Sequence, residues 1–286
     1  MHEIILNFLI RKNFQRLNKL LFNVYKFFLK ERIVLNFLKF KFYAYPQKKE
    51  LSRWMIKNLQ IWDKDYIEMI LNQIKNDDTI FIDIGSNYGA YSIPIAKFKN
   101  KIHLYCFDPS EKALNQLKDN IKLNDIKNIK YFKVGIGEKK KIAHFNDKLE
   151  NYKNSGSYQI NNKYLDNKII VNSIDNLIES REIIPKKNII IKIDVEGYEF
   201  FALQGLVKTI NKFEVFIFFE FSIKIILNHK NLLILFTKFL KQNNLKIFNL
   251  EFHEIKIEDI FNKIKYLTKG HEVVGNYIIS KNINFK

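Results

Sequence analysis

One cysteine, four prolines and nine glycines in 286 residues exclude several classes of protein at the outset. The lone Cys106 sits in the apolar run "LYCFDP", so neither a disulfide framework nor a cysteine-based metal site is expected, and a reducing, cytoplasmic setting fits. No stretch approaches eighteen uncharged apolar residues, and the start of the chain lacks the apolar run and small-residue cleavage site of a secretory signal; no membrane span is therefore expected. The six histidines are scattered without HxH or HxxxH spacing. Acidic residues are also in deficit, 30 against 48 Lys and Arg, for a net charge of +18. Such a charge permits an anionic partner without specifying one.

Apolar content of 47% is ample for a large core. Residues 1 to about 45 differ from the rest: they hold no Gly or Pro, and through Lys41 they carry nine Lys and Arg against two Glu. Ile10, Phe14, Leu17, Leu21, Val24 and Phe28 recur at steps of four and three, which puts them on one side of a helix. Residues 1–53 are accordingly expected to form a basic, amphipathic helical extension, and residues 54–286 the main domain. The stripe can pack on that domain or on a second copy. It can also lie on the inner face of an anionic membrane as a peripheral contact.

Beyond Trp54, short apolar runs alternate with helical patterns. Strands are expected near 80–84, 102–107, 129–134, 189–193, 215–221, 245–250 and 276–280, and helices at 91–98, 111–123, 199–209 and 230–241. This alternation predicts an α/β fold with a mostly parallel sheet and helices on both faces. Residues 138–188 are polar and irregular, which suggests an inserted hairpin or loop region. Within it "NYKNSGSYQI", with Asn154, Ser155 and Gly156, is a candidate acceptor loop or a plain turn.

Two stretches carry chemistry. In "FIDIGSNYGAYS" the first strand ends at Asp83, and Gly85 and Gly89 follow in the turn to a helix, where open α/β sheets bind ligands. The spacing matches neither the dinucleotide fingerprint nor a phosphate loop. Asp83 could meet a cationic amine, and Asp108, roughly twenty residues past the turn, is spaced to accept ribose hydroxyls. In "IIIKIDVEGYEFFALQG" strand periodicity puts Lys192, Asp194 and Glu196 on one face. Unpaired carboxylates in an apolar sheet cost several kcal/mol each, so Lys192 must offset one or a cationic ligand must offset others. A structural ion pair, with Glu196 and Glu199 merely favourable at a helix start, is the plainer alternative.

Taken together, "DIGSNYGAYS", "FDP" and "KIDVEGYEFFALQG" resemble the blocks of class I S-adenosylmethionine-dependent methyltransferases, in particular the FkbM family of O-methyltransferases. The resemblance runs from about Trp62 to Glu220 and implies a Rossmann-like, seven-stranded sheet. Ser86 stands where the family carries alanine, and Asp108 where it carries glutamate. Asp83, Gly85, Asn87 and Gly89 would surround the methionine moiety of S-adenosyl-L-methionine, Asp108 would hold the ribose, and Pro109 and Ser110 would flank the adenosine. Asp194, Glu196 and Lys192 would be the catalytic set, with Asp83 and Glu220 gathered beside them. A carboxylate would take the acceptor proton directly or through a divalent cation, for which the sequence assembles no ligand set. The implied reaction is methyl transfer to a hydroxyl of a small molecule or glycan. A nucleic-acid acceptor and a non-catalytic binding protein are the alternatives; the chain lacks an NPPY- or DPPY-like motif, which counts against the former.

Overall fold

The computed structural model describes residues 32–45, 50–58, 60–144, 168–222, 231–264 and 273–282. The stripe from Ile10 to Phe28 and the Asn154–Gly156 stretch both lie outside these residues. A hairpin, β1 (Ile33–Asn36) and β2 (Lys41–Ala44), opens the described chain and is followed by helices α1 (Glu50–Asn58) and α2 (Lys64–Gln73). Then come β3 (Thr79–Ile84), α3 (Ser92–Phe98), β4 (His103–Phe107), α4 (Glu111–Leu123) and β5 (Ile129–Phe132). A small sheet follows, formed by β6 (Gly135–Ile136), β7 (Lys141–His144) and β8 (Lys168–Asn172), and then α5 (Ile174–Glu179). The second half contains β9 (Asn188–Ile193), α6 (Glu199–Gln204), α7 (Val207–Lys212), β10 (Glu214–Ser222) and α8 (Leu232–Gln242). It closes with β11 (Lys246–Phe248), β12 (Glu254–Ile255), α9 (Ile257–Ile264) and β13 (Val273–Ser280).

The main sheet runs β12-β11-β13-β10-β9-β3-β4-β5. β5, β4, β3, β9 and β10 pair in parallel, and β13 returns antiparallel between β10 and β11. This is the α/β, Rossmann-like arrangement of class I methyltransferases, with the two-residue β12 added as an eighth strand to the seven expected. Strand order reverses between β3 and β9, and that is where such sheets open a crevice at their carboxyl ends.

Burial on both faces explains why the central strands read as unbroken apolar runs. Every residue of β3 and β9 is buried. Ile80, Ile82, Ile84, Ile189, Ile191 and Ile193 pack on one side with α6, α8 and α9, while Phe81 and Ile190 pack on the other with α2, α3 and α4.

Two expectations need correction. Residues 33–44 are a hairpin rather than helix, and Leu35, Phe42, Ala44 and Met55 share a core with Tyr88 and Leu117 of the main domain. The core therefore crosses the anticipated boundary at residue 53. Buried Asn120 and Asn124 tie the hairpin down, accepting the backbone N–H groups of Tyr43 (2.8 Å) and Lys41 (2.7 Å). The helix expected over 199–209 is two helices, α6 and α7, with Gly205 and Leu206 between them.

Candidate functional site

The crevice at the reversal point is an open cleft lined by apolar, aromatic and charged side chains. Three strand ends feed it. The turn after β3 supplies Gly85, Ser86 and Asn87, the end of β4 supplies Asp108 and Pro109, and the run beyond β9 supplies Asp194, Val195 and Glu196.

The glycine turn is held by backbone geometry. The N–H groups of Gly85 and Ser86 both donate to the Phe107 carbonyl, at 2.9 and 3.0 Å. Gly85 has φ +78°, and a Cβ there would lie 1.8 Å from the Asp194 carbonyl oxygen. Only glycine lets the ends of β3 and β9 approach so closely. Asn87 is also left-handed, at φ +48°. Its N–H donates to Asp108 Oδ2 at 2.9 Å, and the Ser110 N–H donates to Oδ1 at 2.8 Å. Two backbone donors thus fix the Asp108 carboxylate.

Lys192 is the buried hub of the opposite wall. Register places it directly beside Asp83 on the neighbouring strand. Its Nζ lies 3.0 Å from Asp194 Oδ2, 3.8 Å from Asp83 Oδ1 and 3.3 Å from the Gly85 carbonyl, over the Tyr91 ring at 4.8 Å. Burial would lower its pKa, but Asp194 and Asp83 more than reverse this and the pKa is raised. Glu220 follows on β10; burial and the nearby Asp194 push its carboxyl well upward.

The run beyond β9 is strained. Glu196 has φ +53° and Gly197 φ +104°. Both oxygens of buried Glu199 accept the Gly197 N–H at 2.9 Å. Burial, only partly offset by these bonds, pushes Glu199 up to about 8.

The anticipated residues therefore divide. Gly85, Asn87, Asp108, Pro109, Lys192, Asp194 and Glu196 line the cleft together. Gly89 does not: its φ of +89° shapes the turn, and a Cβ there would strike Leu117. Ser110 is buried and caps α4, its Oγ accepting the Ala113 N–H at 3.2 Å. Asp83 is only 1% exposed, is enclosed by the Ser92 hydroxyl and Lys192, and is not part of the cleft lining. Reasoning from sequence missed Trp62, Asp63, Tyr91 and Tyr198, all of which line the cleft. Asp63 precedes a helical pattern, where an aspartate reads as an N-cap, yet its side chain makes no capping bond and instead accepts the Tyr91 hydroxyl at 2.8 Å. Among the described residues, no group of three or more His, Cys, Asp or Glu is arranged to hold a metal, and no helix is long and apolar enough to cross a membrane.

The chain is 24% identical over 155 residues to the hexuronic acid methyltransferase AglP of Haloferax volcanii, spanning 54% of this chain and 59% of that relative's length. Among solved structures it is similar to TYW2 of P. horikoshii, crystallised with MeSAdo (14% identity, 89% of this chain and 73% of that one, TM-score 0.45). It is also similar to the methyltransferase FkbM of Methylobacillus flagellatus KT (16% identity, 59% and 42% of the two chains, TM-score 0.37). A family match covers residues 7–236, beginning well before Trp62, where the motif resemblance starts. The chain belongs to the family described as the Vibrio cholerae RfbT protein.

Proposed function

We propose that the cleft binds S-adenosyl-L-methionine and that the protein transfers its methyl group to a hydroxyl of a small molecule or glycan, in the manner of the FkbM O-methyltransferases. The observation that carries this reading is the convergence of the Gly85 turn, the doubly held Asp108 carboxylate and the Lys192–Asp194–Glu196 run on one crevice. Three non-glycine residues with left-handed backbone, Asp63, Asn87 and Glu196, line that same crevice. Backbone of this kind is often found at pre-organised sites.

The residues present fit this cofactor. Asp108, held by two backbone donors on the cleft wall, is placed to meet ribose hydroxyls, and the side-chain oxygens of Ser86 and Asn87, buried at the cleft, have no hydrogen-bond partner among the described residues. A polar ligand would satisfy them. When bound, the cofactor supplies an electrophilic methyl group on a sulfonium that is already a good leaving group. The remaining work falls to the protein: aligning the acceptor oxygen and excluding water can contribute roughly 7–11 kcal/mol in favourable cases. Asp194 or Glu196 accepts the hydroxyl proton as methyl transfer proceeds. Lys192 orients the Asp194 carboxylate at 3.0 Å.

The relative's substrate and the chain's charge of +18 favour an acidic sugar as acceptor. The test is transfer of labelled methyl from S-adenosylmethionine to a panel of hexuronic acid glycosides, neutral glycosides and RNA. Alkali-stable label on a glycoside is the expected result. Alkali-labile label would identify carboxyl esterification, and label on RNA alone would replace the glycan reading. The basic stripe from Ile10 to Phe28 within residues 1–45 is proposed to add a peripheral membrane contact, which cosedimentation with anionic vesicles, with and without residues 1–31, would test.

A further inference from the structure

Asp83 is the natural partner for a ligand amine by its place in the motif, but it is buried outside the cleft lining and is engaged by Ser92 and Lys192. Its carboxylate already lies 3.8 Å from the Lys192 ammonium. Lys192 in turn is committed to Asp194 and to the Gly85 carbonyl. On the cleft wall contributed by the segment before α2, Asp63 stands in a different position. The Tyr91 hydroxyl donates to its Oδ2 at 2.8 Å, and the Trp62 side chain hydrogen-bonds it as well. Both donors are neutral, so they aim the carboxylate without cancelling its charge. Among the described residues, Asp63 has no cation within ion-pair distance. The local backbone favours this aim over helix capping: Asp63 adopts φ +53°, its carbonyl accepts the Ile67 N–H at 3.0 Å, and its side chain is released from the helix terminus.

We propose that Asp63, oriented by Tyr91 and Trp62, binds the α-ammonium of the cofactor, a role that the glycine motif alone would give to Asp83. The assignment rests on the cofactor reading above. Burial raises the pKa of Asp63 in the free protein, and an ammonium in contact would oppose that shift. The carboxylate has lone pairs to spare after the two aromatic donors, so the ammonium need displace neither of them.

The test is calorimetric titration of the full chain with S-adenosylhomocysteine and with its analogue lacking the α-amino group. Asp63→Asn is expected to weaken S-adenosylhomocysteine binding by roughly 10- to 100-fold, the scale of a hydrogen bond to a charged group, and to leave the deaminated analogue within about threefold. Tyr91→Phe keeps the buried ring and removes the orienting hydroxyl; it should show the same selectivity at smaller size, and it carries the test if Asp63→Asn does not fold. Equal loss of both ligands in these variants, or no loss of either, overturns the assignment. Failure of the unmodified protein to bind either ligand overturns the cofactor reading and this assignment with it.

Discussion

The carbonyl oxygen of Asp194 stands 1.8 Å from where a side-chain carbon on Gly85 would lie, so the two strand ends that build the cleft close on each other only because residue 85 is glycine. The same junction carries the hydrogen bond from the Asp194 N–H to the Ile84 carbonyl at 3.1 Å. Gly85→Ala must either part β3 from β9 or strain a backbone already at φ +78°. A loss of about 2 kcal/mol or more is expected, a fall in Tm of roughly 4–8 °C for a domain of this size, together with loss of cofactor binding. Thermal unfolding with a binding titration checks both.

Lys192 offsets two carboxylates at once. Lys192→Met leaves Asp83 and Asp194 beside each other without their cation, and about 3–5 kcal/mol of stability should be lost at neutral pH. The sign with pH follows from Asp83, whose pKa burial already raises. Without the lysine it rises further, so the folded variant takes up a proton that the unfolded chain releases, and its stability improves as pH falls. Urea unfolding at pH 5.5 and pH 8 should therefore show a smaller deficit at the lower pH. Equal deficits would contradict the hub role.

Glu199 predicts the pH response of the unmodified protein. Its folded pKa of about 8 exceeds the 4.5 of an unperturbed glutamate. The folded state then holds a proton that the unfolded state has released, and this group's contribution declines as pH rises from about 4.5 through about 8. Glu199→Gln keeps an acceptor for the Gly197 N–H and removes the titration. The variant should match the unmodified protein near pH 5 and be the more stable of the two near pH 9, as read by urea midpoints.

Asp194 and Glu196 separate by rate. If Asp194 takes the proton, Asp194→Asn lowers the transfer rate by about 10²- to 10⁴-fold with cofactor affinity changed far less, and Glu196→Gln does little. The reverse pattern assigns Glu196. Near-normal rates in both would remove the two residues from the proton transfer.

The main sheet was largely legible because its buried strands are short apolar runs separated by helices of a different period. "TIFIDI" and "NIIIKI" could hardly be anything but central strands. The cleft was legible where local chemistry marks it, in glycines after a strand and charges at a strand end. The remainder depended on three-dimensional neighbours. Nothing in "IWDKDY" says that Asp63 meets Tyr91, since that contact spans 28 residues and needs α2 and α3 to pack. Asp83 ends β3 as expected, but its burial follows from register with Lys192, which strand periodicity within one segment does not contain. The hairpin at 33–44 was missed for a similar reason: its apolar residues suit a helix stripe equally well, and it is the amides of Asn120 and Asn124 that hold it as strands.

The most direct measurement is the calorimetric titration of the intact protein with S-adenosylhomocysteine, alongside Asp108→Ala. The account predicts one ligand per chain, with affinity falling by about tenfold or more when the Asp108 carboxylate is removed. Absence of binding to the unmodified protein, or binding that Asp108→Ala leaves untouched, would contradict it.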